Sequence, residues 1–77
     1  MAITLKSGQS HQFTGPEGDF VSVTNEAGSE GQFQLSYEDE PTQTFNIGGF
    51  ATENKQPTDY PVTVTNSGKT TLSVGLA

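Results

Sequence analysis

Two five-residue strings, Val21-Ser22-Val23-Thr24-Asn25 and Val62-Thr63-Val64-Thr65-Asn66, share the pattern Val-x-Val-Thr-Asn. In each, apolar side chains alternate with small hydroxylated ones, the period of a β-strand with one buried face. A short glycine-containing connection follows each string, and then a second alternating run. That run is Phe33-Gln34-Leu35 in the first case and Leu72-Ser73-Val74-Gly75-Leu76 in the second. Alternation on both sides of such a connection predicts a β-hairpin. The chain is therefore expected to carry two similar hairpins and to consist of two similar halves.

The remaining segments extend the pattern. Ile3 and Leu5 mark a first short strand, Gln9 to Phe13 a second, and Gln43 to Ile47 another, while Gln32 to Tyr37 is the most regular of all. Turn chemistry separates them: Ser7-Gly8, the tight loop Thr14-Gly15-Pro16-Glu17-Gly18-Asp19, the breaker Glu38-Asp39-Glu40-Pro41, and a bend at Gly48-Gly49. Ala51 to Thr58 is polar throughout and reads as the longest loop. No window places apolar residues at i, i+3, i+4 and i+7, so essentially no helix is expected. The prediction is one all-β domain over 1–77, a small antiparallel β-sandwich of six to eight short strands, jelly-roll or Ig-like.

The expected core is Ile3, Leu5, Phe13, Val21, Val23, Phe33, Leu35, Tyr37, Phe45, Ile47, Tyr60, Val62, Val64, Leu72, Val74 and Leu76. That set is small for a chain with no cysteine to staple it, so association into a homo-oligomer is expected. Phe20 and Phe50 break the alternation and point away from the inner face. They are the candidate interface residues, since an exposed phenyl on a small domain marks a contact surface.

Charge excludes several classes. Nine acidic residues against three lysines and no arginine give a net charge of −6, which disfavours nucleic acid and anionic membrane as partners. No apolar run has the ~20 residues of a membrane span. The N-terminus lacks a basic segment followed by an apolar one, so no signal peptide is expected.

Catalytic patterns are sparse. His11 is the only side chain able to act as a base near neutral pH, and a Ser10, His11, Asp19 grouping lacks the strand-turn-helix elbow of a serine nucleophile. No catalysis and no cofactor are expected. Glu38, Asp39 and Glu40, with Glu17 and Asp19, are the only carboxylate groupings, and their spacing is not that of a calcium loop; no metal site is expected. Gly15-Pro16-Glu17-Gly18 and Gly48-Gly49 carry no phosphate-loop lysine and read as turns.

The expected function is that of a non-enzymatic interaction or assembly module, a homo-oligomeric structural or surface protein of the virion-accessory kind. The alternative is a lectin-like carbohydrate-binding domain, with Tyr37, Glu38, Asp39, Asn54, Asp59 and Tyr60 as ligand residues and Phe50 beside Asn46 as a further platform. A third reading is an acidic inhibitor of a basic protein. Itself, a glycan and a basic protein are the corresponding partners.

Overall fold

The computed structural model describes residues 2–15 and 20–76. The loop expected over Thr14–Asp19, with Glu17 and Asp19, lies largely outside them. The chain forms eight strands: β1 (Ile3–Leu5), β2 (Ser10–Phe13), β3 (Val21–Asn25), β4 (Gly31–Ser36), β5 (Gln43–Ile47), β6 (Thr52–Lys55), β7 (Val62–Asn66) and β8 (Leu72–Leu76). They make two four-stranded antiparallel sheets, ordered β1-β8-β3-β6 and β2-β7-β4-β5. This double Greek-key order is that of a jelly roll rather than an Ig domain.

The sheets press their alternating apolar faces together. Val21, Val23, Phe33, Val62, Val64 and Leu72 are fully buried, with Leu5, Phe13, Leu35, Ile47 and Val74 nearly so. Ile3, Tyr37, Phe45, Tyr60 and Leu76 pack partly buried against them. Every apolar position expected in the core is thus in it or against it. The outer faces are polar and uncharged at Gln32, Gln34, Thr44, Asn46, Thr63 and Thr65 on one sheet, and at Ser22, Thr24, Ser73 and Asn54 on the other.

The two expected hairpins do not form. β3 pairs with β6 and β8, and β4 with β5 and β7, so the chain crosses from one sheet to the other between β3 and β4. It crosses again between β7 and β8. Period-two alternation fixes which face of a strand is buried but not which neighbour it pairs with. Both crossings begin at an asparagine. Asn25 and Asn66 are fully buried, and their amides hold the arches closed. The long loop expected over Ala51–Thr58 is also corrected: its first half is β6, an edge strand pairing Thr52 to Lys55 with β3.

The two halves are related by an approximate two-fold. Exchanging β1 with β5, β2 with β6, β3 with β7 and β4 with β8 turns one sheet order into the other. Leu5 opposite Leu72 corresponds to Ile47 opposite Gly31, and Ser10 opposite Thr65 to Thr52 opposite Thr24. Both of the latter pairs share a hydroxyl–hydroxyl hydrogen bond, at 3.0 and 2.9 Å.

The relation fails at one pairing. β8 places Leu72 opposite Asn25, whereas β4 places Phe33, not Gly31, opposite Asn66. This two-residue slip runs the start of β4 alongside the 67–70 arch, where Ser67 and Gly68 N–H both donate to the Gln32 carbonyl at 3.1 Å. Two glycines make the approach possible. A Cβ at Gly31 would collide with the Thr70 hydroxyl, and one at Gly68 would lie 2.6 Å from Gln32 N.

Candidate functional site

The arch end of the sandwich carries the first candidate. Two equivalent turns lie there: Gln9 N–H donates to the Lys6 carbonyl at 2.9 Å, and Ala51 N–H to the Gly48 carbonyl at 3.1 Å. The third residue of each turn needs a positive φ, as in a type II turn, a position that favours glycine. The first turn uses Gly8 at φ +84; the second uses Phe50 at φ +56. A bulky side chain there is rare, and the left-handed region costs an L-residue about 1–2 kcal/mol.

The ring gains little burial in return. Phe50 is 73% exposed. Its inner edge lies on the Gly28 backbone, where an added Cβ would come 3.1 Å from Cε2. The Phe50 N–H donates to the Ala27 carbonyl at 2.9 Å, which fixes the turn against the β3–β4 arch. The Phe50 backbone is thus tied to the β3–β4 arch, with one edge of the phenyl on Gly28 and the rest in solvent.

Phe20 is 44% exposed and immediately precedes β3, whereas Phe50 lies two residues before Thr52, the partner of Thr24 near the end of that strand. The length of β3 separates them. The two candidate interface residues are exposed, as the break in alternation implied, but belong to opposite ends of the domain.

The opposite end gathers most of the ligand candidates. The β4–β5 hairpin loop carries Tyr37, Glu38 and Asp39, and the β6–β7 connection carries Asp59 and Tyr60. The Thr58 hydroxyl lies 3.0 Å from both oxygens of the Glu40 carboxylate and links the two loops. Tyr37 OH donates to Gln43 Oε1 at 3.2 Å, and the Tyr60 N–H to the Asp59 carboxylate at 2.8 Å. The Tyr60–Pro61 bond is cis. Tyr37 and Tyr60 are half-buried against the core, while Glu38, Asp39 and Asp59 are exposed. Asn54 is not among this group: it lies on the outer face of β6, opposite Ser22. Asn46, expected beside Phe50, instead accepts from Gln32 Nε2 at 3.3 Å on the outer face of the other sheet.

The remaining candidates stand apart. Ser10 bonds Thr65 on the outer face, while the His11 ring on the inner side packs edge-on to Phe13, with centroids 4.7 Å apart. Adjacent strand residues project oppositely, so Ser10 and His11 do not form a nucleophile–base pair. Among the described residues, no three His, Asp or Glu side chains converge as a metal site would require. No helix there is long and apolar enough to cross a membrane. An open groove of about 260 Å³ runs over the outer face of the β1-β8-β3-β6 sheet, lined by Ala2, Ser22, Thr24, Ser73 and Gly75.

The sequence signalled Phe50 but not its conformation, which emerges only when its turn is set beside that of Gly8. Compared with known proteins, the chain matches no family model, no curated protein and no solved structure.

Proposed function

We propose that this domain is a non-enzymatic assembly module that associates with copies of itself through the arch end, with Phe50 as the anchoring side chain. One observation carries the reading. The fold offers two equivalent turns, one satisfied by Gly8, yet the other holds a 73%-exposed phenyl at φ +56. The ring gains little burial to offset an unfavourable backbone, and residues so held concentrate where proteins make contact. Phe50 is the most exposed large apolar side chain of the described residues.

Light scattering behind a sizing column, over a range of concentrations, tests this. For chain refolded at low concentration, the wild type is expected to exceed the 8.2 kDa chain mass and Phe50→Gly to return to it, with Phe20→Ser unchanged. A wild type that stays at the single-chain mass throughout removes the reading.

The lectin-like alternative is favoured by one specific arrangement, the Thr58–Glu40 link that brings the Tyr37–Asp39 and Asp59–Tyr60 segments to one end. A saturable glycan-array signal lost in Tyr37→Ala and Tyr60→Ala would support it. The same exposed carboxylates suit a basic protein partner, whose binding would weaken as salt rises.

A further inference from the structure

Every strand pairing among the described residues joins the first half of the chain to the second. The ladders are β1 with β8, β2 with β7, β3 with β6 and β8, and β4 with β5 and β7. No strand of β1–β4 pairs with another of β1–β4, and none of β5–β8 with another of β5–β8. Each sheet therefore alternates strands from the two halves, and neither half has a ladder of its own. The halves are complementary partners joined by one connection, residues 37–42 of the β4–β5 loop.

We propose that two copies of this chain exchange their β5–β8 halves, giving a two-lobed dimer in which each lobe combines β1–β4 of one copy with β5–β8 of the other. All six ladders are rebuilt identically between copies, and only the turn at 37–42 is given up. That turn holds Glu38, Asp39 and Glu40 together, all exposed, with Asp59 on the adjoining loop. The only hydrogen bonds its carboxylates receive from side chains in the described set are those from the Thr58 hydroxyl to Glu40. Straightening the loop spaces these like charges along an extended segment, so the hinge is the part of the molecule that loses least on opening. The occupant is fixed by the pairings: only another β5–β8 segment matches the register of β1–β4.

Exchange requires every ladder to part, so closed monomer and exchanged dimer do not interconvert in the folded state. They partition during refolding, and protein concentration sets the ratio. This inference rests on the strand pairings alone and is independent of Phe50.

The test uses Gln34→Cys with Thr44→Cys in the full chain. These two residues face each other on β4 and β5, and directly opposed antiparallel residues have Cα atoms about 4.5–5.5 Å apart, a spacing a disulfide can bridge. The variant is refolded at low and at high concentration, oxidised, and examined by light scattering and non-reducing electrophoresis. The closed monomer forms the bond within one chain; the exchanged dimer forms it between chains. A between-chain dimer that grows with refolding concentration, and persists with Phe50→Gly added, is expected. A single-chain species at every concentration overturns the proposal, as does a dimer whose disulfides all lie within chains.

Discussion

Asn25 and Asn66 make three matching hydrogen bonds each at the ends of β3 and β7, and Asn25 Nδ2 also lies 3.2 Å from the Gly48 carbonyl oxygen. Each Nδ2 donates to the carbonyl four residues ahead, Ser29 at 2.8 Å and Thr70 at 2.7 Å. Each also donates to the last carbonyl of an edge strand, Ile47 at 3.2 Å and Leu5 at 2.9 Å. Each Oδ1 accepts from the backbone N–H two residues on, Ala27 and Gly68, at 3.1 Å. The two side chains thus tie an arch and an edge strand to the core in each half.

Replacing either asparagine by aspartate keeps the shape but turns a donor into a buried charge facing carbonyl oxygens. Asn25→Asp and Asn66→Asp are each expected to cost roughly 3–5 kcal/mol, the scale of an uncompensated buried charge. Denaturant unfolding midpoints measure this. Loss at one position with indifference at the other would contradict the equivalence of the halves.

Thr70 gives a prediction of opposite sign. It is buried, and its hydroxyl has no hydrogen-bond partner among the described residues. Thr70→Val keeps the shape and removes an unsatisfied polar group, so it should raise stability by about 1 kcal/mol. Gly31→Ala drives a methyl into the same hydroxyl and should destabilise by roughly 1–3 kcal/mol, the range for overpacking. Unfolding curves for both variants decide the matter.

At the β5/β6 rim, Lys55 occupies the place that Phe13 holds at the β1/β2 rim. Its Nζ lies 4.4 Å from the Phe45 ring centroid and 3.4 Å from the Glu53 carboxylate. The stem covers the core edge while the charge blunts an edge strand against pairing with other chains. Lys55→Phe should therefore raise the unfolding free energy by about 1 kcal/mol while increasing aggregation, read by light scattering over time. A variant that is more stable and equally soluble would remove the protective role of the charge.

These roles were unevenly written in the chain. The apolar half of each strand was legible because alternation reports burial directly, and Val-x-Val-Thr-Asn announced two similar halves. The pairing was not legible, since an arch between sheets and a hairpin within one share the same alternation; the terminal asparagines were the available clue. β6 is not legible in the sequence because Thr-Glu-Asn-Lys has little strand propensity and gains its conformation from β3 alone. Of the candidate site residues, the tyrosines and carboxylates of the loops are gathered at one end by a link from Thr58. Asn54 is carried to a sheet face because it belongs to β6.

Gly8 and Phe50 supply a reciprocal test of the arch turns. A Cβ at Gly8 would meet nothing within 4 Å, so the cost of Gly8→Ala comes from φ +84 alone and should be about 1–2 kcal/mol. Phe50→Gly removes the same penalty from the second turn, offset in part by the ring's contact with Gly28. It should leave stability unchanged or raise it by up to about 1 kcal/mol. If Phe50 is held outward for contact, that variant folds at least as well as wild type and yet, refolded at low concentration, no longer associates through the arch end. Were Phe50→Gly instead clearly destabilised, the ring would be a structural cover for the β3–β4 arch, and its exposure would no longer argue for a partner.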